Sequence, residues 1–376
     1  MSIPFVDLKA QFARVETDVR AGIDAVLAHG KYIMGPEIGE LEGQLAEFAG
    51  VKHAITCSSG TDALLIPMMA YGVGPGDAIL TSPFTFIATA EVISLLGATP
   101  VFVDVDPRTF NLDPQALEQA LARLQGSKLR PRGVISVDIF GLPADADEIM
   151  SIAQAHSLFV LEDAAQSFGG TYKERAAGAL GHVASTSFFP AKPLGCYGDG
   201  GAMFTDDDEL ADIIKSIRVH GKGTDKYDNI RIGVNGRLDT MQAAILLAKL
   251  KVFPDELAAR QKVANRYTDG LQDLVDVPYM PNSCTSAWAQ YSVLSDQRDR
   301  LQAGLNQAGV PTAVYYPTPL HLQTAFASLG YAPGDLPVSE NTSERIISLP
   351  MHPYMTPETQ DEIIAAVRAA LEMEHA

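Results

Sequence analysis

Apolar positions along the chain recur in two rhythms. A helical spacing runs through residues 15–29 and again through 37–49. From there, short apolar runs at 54–57, 78–82, 100–104, 133–138, 158–161, 186–189 and 201–204 read as strands. Amphipathic stretches at 61–71, 86–96, 114–124 and 146–156 separate most of them and read as helices. Short apolar strands alternating with helices predict an α/β layer with a largely parallel sheet covered on both faces. In such a sheet ligands collect beyond the carboxyl ends of the strands. After about residue 235 the rhythm changes: two long helices at 238–251 and 254–270, a strand at 289–294, a helix at 297–307 and a last helix at 357–373. This predicts an N-terminal segment and large domain over 1–240, then linking helices and a smaller α/β domain over 241–376, with the boundary inside 238–270.

Composition narrows the class of partner. The 376 residues carry a net charge of −18, and the basic residues are scattered, which argues against a nucleic-acid partner. No apolar run reaches the roughly 20 residues that span a bilayer, and the first residues show no basic stretch leading into an apolar one. The three cysteines, Cys57, Cys196 and Cys284, have no metal-like spacing and suit a reducing compartment. The expectation is a cytoplasmic protein with neither membrane nor metal partner.

Three segments carry candidate chemistry. In Ser187-Phe188-Phe189-Pro190-Ala191-Lys192-Pro193-Leu194-Gly195, one lysine stands between an apolar strand end and a glycine-rich turn. Burial there lowers an amine's pKa and makes Lys192 a candidate for an imine with an aldehyde cofactor, against the bland alternative of an exposed loop lysine. The run Leu158-Phe159-Val160-Leu161 ends in Glu162-Asp163, and strand alternation sends the two carboxylates to opposite faces. Asp163 can hold a proton on a pyridine nitrogen, or cap the next helix; Gln166 lies within reach of a ring oxygen. Ser59-Gly60-Thr61-Asp62 opens an apolar helix, and a helix start offers free amides and a positive dipole end to phosphate. Together these suggest pyridoxal 5'-phosphate. Phe86 can stack on the ring, with Phe84 the competing choice, and Ser187 can add a phosphate contact. Asn235 and Arg237 can reach an anion or cap the helix that follows. Tyr315, Tyr316 and His321 share a loop stiffened by Pro317 and Pro319 and are candidates for lining a substrate site, or for simple packing.

Taken with Phe5-Val6-Asp7-Leu8, Gly35-Pro36-Glu37, Glu162-Asp163-Ala164-Ala165-Gln166-Ser167, Asn235-Gly236-Arg237-Leu238-Asp239 and Tyr316-Pro317, these segments resemble the DegT/DnrJ/EryC1/StrS sugar aminotransferases over essentially the whole chain. The resemblance implies the fold of type I pyridoxal-phosphate enzymes, with a mostly parallel seven-stranded sheet. It assigns Lys192 to the imine, Asp163 to the pyridine nitrogen, Gln166 to the ring oxygen, Phe86 to the ring face, and Gly60, Thr61 and Ser187 to the phosphate. It also implies that Asn235 reaches the phosphate of a neighbouring subunit in a homodimer, that L-glutamate is the donor, and that the acceptor is a keto sugar on a nucleotide. Within the family, the segments around Lys192 and Leu349-Pro350-Met351-His352-Pro353-Tyr354 look most like members that aminate a 3-oxo uronate on UDP, with Arg237 the candidate for its carboxylate. In one departure, Val314-Tyr315-Tyr316-Pro317 lacks the histidine expected before the tyrosine. Other nucleotide-linked 3- or 4-keto sugars, a dehydratase and a regulator without enzymatic activity are the alternatives. Family dehydratases replace the lysine with histidine, and this chain keeps Lys192.

Overall fold

The computed structural model describes residues 3–225 and 227–372; Met373, the last residue of the final predicted helix, and Met1 and Ser2 lie outside them. In chain order the elements begin with α1 (Leu8–His29), α2 (Pro36–Ala49), β1 (His53–Cys57), α3 (Gly60–Ala70), β2 (Asp77–Thr81), α4 (Ala88–Leu95), β3 (Thr99–Phe102), α5 (Pro114–Leu124), β4 (Arg130–Val137), α6 (Ala146–Ala155) and β5 (Phe159–Asp163). Two short strands follow, β6 (Thr171–Tyr172) and β7 (Arg175–Ala176), then β8 (Val183–Ser187), β9 (Gly201–Thr205) and α7 (Asp208–Arg218). The remainder comprises α8 (Thr240–Leu250), α9 (Phe253–Leu271), β10 (Cys284–Thr285), β11 (Tyr291–Leu294), α10 (Arg298–Gln307), α11 (Pro337–Arg345), β12 (Ile346–Leu349) and α12 (Pro357–Glu372).

The central sheet has seven strands in the order β1-β9-β8-β5-β4-β2-β3. Only β9 runs against its neighbours, as the α/β pattern predicts. Alternation along each strand feeds two separate cores. Ile55, Ile79, Ile135, Leu161, Val183 and Met203 point to one face, under α3, α4 and α7. Ala54, Ala184, Ala202 and Phe204 point to the other, under α2 and α8, and Leu80, Val134 and Val160 meet α5 and α6 on that same side. Each large side chain so withdrawn from water contributes ~1.5–3 kcal/mol, so both faces hold their helices firmly. A third core joins α9, α10 and α12 to the β11–β12 pair through Tyr267, Tyr291, Leu301, Ile347 and Ile363.

The pattern misplaces one strand. The run expected at 186–189 is β8, which covers Val183–Ser187 and pairs with β5 through Leu161↔Val183 and Asp163↔Ser185. Phe188 beyond its end is buried, whereas Phe189 is exposed. The aromatic pair drew the reading forward from a strand made of small residues, whose place is set by its two neighbours in the sheet.

Candidate active site

The carboxyl ends of β1, β5 and β8 converge. Glu162 and Asp163 close β5 and face opposite sides. Glu162 accepts from the amides of Gly178 and Leu180, each at 2.8 Å; burial pushes its carboxyl up to about 7. Behind it Asp138, raised by burial and by the neighbouring Glu162 charge, accepts from Ser167 at 2.7 Å and from the Ala144 amide at 2.9 Å. Asp163 looks the other way. Its Oδ2 accepts from the Thr89 hydroxyl at 2.9 Å and its Oδ1 from the Ala165 amide at 3.2 Å. Thr89 in turn pairs with Thr85 at 3.1 Å, one helical turn back. Burial raises the Asp163 pKa, opposed by these two bonds and by the positive charge of Lys192.

Lys192 sits in the loop between β8 and β9. The loop's base is tied by Phe188 N–H to Gly200 O at 2.8 Å and Cys196 N–H to Phe188 O at 2.7 Å, and the Lys192 amide donates to Phe189 O at 2.9 Å. Burial lowers the pKa of the Lys192 amine, and the facing Asp163 charge partly offsets this. Lys192 has no ion-pair partner within bonding distance among the described residues. Both properties favour the free-amine form that a nucleophile needs.

A third wall comes from the head of α3. Ser59 is the N-cap, accepting from the Asp62 amide at 3.1 Å. The amides of Gly60 and Thr61 belong to the first turn, where no intrahelical acceptor exists, and the helix dipole adds positive potential. Gly60 lies against Ser187: a Cβ at position 60 would stand 2.6 Å from Ser187 Cβ and 2.9 Å from its Oγ. The Ser58 amide donates to Gly236 O at 3.0 Å, which brings the 235–237 turn alongside. There Arg237 donates from Nε and Nη2 to Asn235 Oδ1, at 3.1 and 2.6 Å, and Asn235 is otherwise exposed.

The aromatic alternatives separate by burial. Phe84 is fully buried, packed edge-on against Phe140 and Tyr316. Phe86 is 57% exposed, two residues before α4, the helix that carries Thr89 to Asp163. Gln166 accepts from the Phe140 amide at 2.6 Å and extends its Nε2 toward Tyr316 Oη at 3.4 Å. Burial raises the Tyr316 phenol's pKa, so it stays a donor. Tyr315 meets Phe5 edge-on. His321 is not brought to this surface. It is buried between Phe102 and Tyr331, with Nε2 3.1 Å from Glu340, and the packing alternative describes it. Thr89 escaped the sequence reading, although the Thr85–Thr89 spacing at a helix head was the available signal.

These groups fit a phosphorylated pyridine aldehyde. A helix start without a Cβ at Gly60 leaves room for phosphate beside Ser187, a buried carboxylate awaits a ring nitrogen, and a lysine of lowered pKa faces it. Comparison with known proteins identifies the class. The chain belongs to the DegT/DnrJ/EryC1/StrS aminotransferase family, whose pattern matches residues 14–368. It is a pyridoxal-phosphate-dependent aminotransferase.

Among its relatives, the UDP-2-acetamido-2-deoxy-3-oxo-D-glucuronate aminotransferase of Pseudomonas aeruginosa is 51% identical over 366 residues, 97% of this chain and 99% of that one. A family aminotransferase from Brucella abortus superposes with a TM-score of 0.97 at 53% identity, covering 98% of this chain and 100% of its own. DesV of S. venezuelae, solved in complex with a ketimine intermediate, superposes with a TM-score of 0.94 at 36% identity, covering 99% of each chain.

Proposed function

We propose that this enzyme transfers an amino group from L-glutamate to C3 of UDP-2-acetamido-2-deoxy-3-oxo-glucuronate, supplying an amino sugar for a surface polysaccharide such as O-antigen. The observation that carries the substrate is the full-length, 51% identity to the Pseudomonas aeruginosa enzyme named for that sugar. Arg237 supports it: a guanidinium can hold a carboxylate by two parallel bonds, and this one is already oriented by Asn235.

When bound, the cofactor supplies an electron sink for the carbon that loses its proton. The residues supply the rest. The Gly60 and Thr61 amides and Ser187 would hold the phosphate, and Asp163 would keep the ring nitrogen protonated. Thr89 fixes the Asp163 carboxylate, while Gln166 would meet the ring oxygen and Phe86 would cover one ring face. Lys192 would bear the cofactor and, as a free amine, would serve as the base that takes up the donor's proton and the acid that gives it back. Lysine serves both directions because burial keeps its pKa below that of a free lysine. Tyr315 and Tyr316 line the sugar side.

The active unit in this proposal is a homodimer, with Asn235 reaching the partner's phosphate. The exposed apolar run Tyr32, Ile33 and Met34 after α1, together with exposed Phe86 and Phe189, supports a second copy covering this face.

The test is turnover of the 3-oxo uronate against the same UDP-sugar carrying a hydroxymethyl group, with products read by mass spectrometry. The expected result is an amino sugar formed at least ~10-fold faster from the uronate, since a desolvated guanidinium–carboxylate contact is worth ~1.5–3 kcal/mol. Equal rates would sink the uronate assignment, and a deoxygenated product would make the enzyme a dehydratase. Lys192→Ala is expected to abolish turnover.

A further inference from the structure

Lys249 is a buried cation that the proposed chemistry does not use. It lies on α8 and is 1% exposed. Its Nζ donates to one protein acceptor among the described residues, the Gly195 carbonyl, and rests 4.7 Å from the centre of the Tyr197 ring. Glu256 on α9 adds a favourable charge from beyond bonding distance, yet burial still lowers the lysine's pKa to about 8. Taking an ammonium out of water for one carbonyl and one ring face is unfavourable, and a methionine of similar volume would fill the space without that cost. An ammonium kept in such a place is doing something packing does not require.

What it holds is the loop that carries Lys192. Two helical turns earlier on the same face of α8, Gln242 grips the next stretch of that loop from both sides. It accepts from the Tyr197 amide at 2.9 Å and donates to the Tyr197 carbonyl at 3.3 Å. Between these two anchors the chain turns so tightly that a Cβ at Gly195 would lie 2.6 Å from the carbonyls of both Phe189 and Pro190. Both carbonyls belong to the stretch that leads into Lys192, whose own amide is bonded to Phe189 O. A shift at Gly195, three residues after the reactive lysine, therefore passes directly into the backbone just before it. The Asn235–Arg237 turn runs straight into α8, so one helix meets both the lysine loop and the turn beside the phosphate cradle.

We propose that Lys249 and Gln242 are positioning residues: through the Gly195 carbonyl and the Tyr197 backbone they clamp the 188–200 loop to α8 and fix the Lys192 amine where the cofactor's aldehyde carbon must arrive. The proposal rests on Lys192 being the cofactor-bearing amine.

The test uses Lys249→Met, which keeps volume and removes charge, and Gln242→Leu, a half-buried change that leaves the helix intact. Hydrogen exchange on cofactor-free chains reads the loop independently of catalysis. Peptides across 188–200 should exchange ~10-fold faster or more in each variant, with β5 and β8 unchanged. In the cofactor-loaded enzyme kcat should fall ~10- to 100-fold, the scale of an ångström-level misplacement, while KM for the amino donor stays within about twofold. Loop exchange equal to the parent in both variants would overturn the clamp. So would faster exchange spread equally over β5 and β8 in Gln242→Leu, which marks general loosening; this variant decides if Lys249→Met fails to fold. Borohydride reduction and peptide mapping of the parent enzyme check the underlying reading separately: a cofactor found elsewhere than Lys192 ends that reading, whatever the loop does.

Discussion

Gly60→Ala is the sharpest probe of the phosphate cradle. The added Cβ would lie 2.6 Å from Ser187 Cβ, whereas carbon atoms in contact sit about 3.5–4.0 Å apart. Something must move by roughly an ångström. Ser187 is the less able to yield, because its strand is hydrogen-bonded on both sides, to β5 and to β9. The first turn of α3 recoils instead and carries the Gly60 and Thr61 amides away from the proposed phosphate position. Loss of one hydrogen bond to a charged group costs ~1.5–3 kcal/mol. That corresponds to a cofactor Kd raised ~10- to 150-fold. The cofactor-free fold suffers less: overpacking costs ~1–3 kcal/mol, against which alanine's better helix propensity returns up to ~1 kcal/mol. The assay is titration of cofactor into the cofactor-free chain by visible absorbance, with denaturant unfolding of the same chain as control. A second variant isolates the cause. Ser187→Gly removes the atoms struck, so Gly60→Ala in that background should bind no worse than Ser187→Gly alone. A Gly60→Ala protein that binds as tightly as the parent, or a double variant showing both losses in full, would refute this reasoning.

Two further outcomes follow from the charges. Asp163→Asn removes the negative charge that raises the Lys192 pKa. The amine's pKa should therefore drop further, measured as the pH dependence of Lys192 reductive methylation in the cofactor-free chain; an unchanged or raised value would contradict the facing geometry. Glu162 gives a stability signature. Its folded pKa of about 7 lies above its ordinary 4.5, so the unfolded chain gives up this proton first and stability falls as pH rises from about 4.5 to about 7. Denaturant midpoints at pH 5 and pH 8 should show that slope, and Glu162→Gln should flatten it; a slope of opposite sign would overturn the assignment.

Legibility followed how local the determining physics is. Helix α5 is readable to the residue, because Asp113 caps it, accepting from the Gln115 amide, and Pro114 starts it. Helix α7 lay in a span the pattern left unassigned, although Leu210, Ala211, Ile214 and Ile217 recur at helical spacing. Strand β12 follows α11 with no turn residue between, so its apolar run Ile346–Leu349 carries no boundary signal. In the site, the identity of Lys192 and the opposed faces of Glu162 and Asp163 are local facts. Which carboxylate faces the proposed cofactor side is not local: Asp163 meets Thr89, delivered by α4 from 74 positions earlier. The same limit applies to Phe84 against Phe86, where composition is equal and only tertiary packing buries one. His321 misled because a histidine in a proline-stiffened loop looks available, whereas Glu340 and Tyr331, near in space, draw it inward.

The two carboxylates at the end of β5 show how one strand supports two protonation states side by side. Glu162 and Asp163 are adjacent in sequence and both buried, so desolvation raises both. On the Glu162 side lies another carboxyl, Asp138, whose pKa is raised by burial and by the Glu162 charge, while burial and the Asp163 charge raise Glu162. On the Asp163 side a hydroxyl, an amide and a cationic lysine all favour ionisation. The sheet between them keeps the lysine's charge on one side and the shared proton of the Asp138–Glu162 pair on the other. In the proposed site a negative Asp163 would keep the ring nitrogen protonated, and a second full negative charge next to it would pull its pKa upward. Keeping Glu162 largely protonated below about pH 7 therefore serves the site as well as the fold.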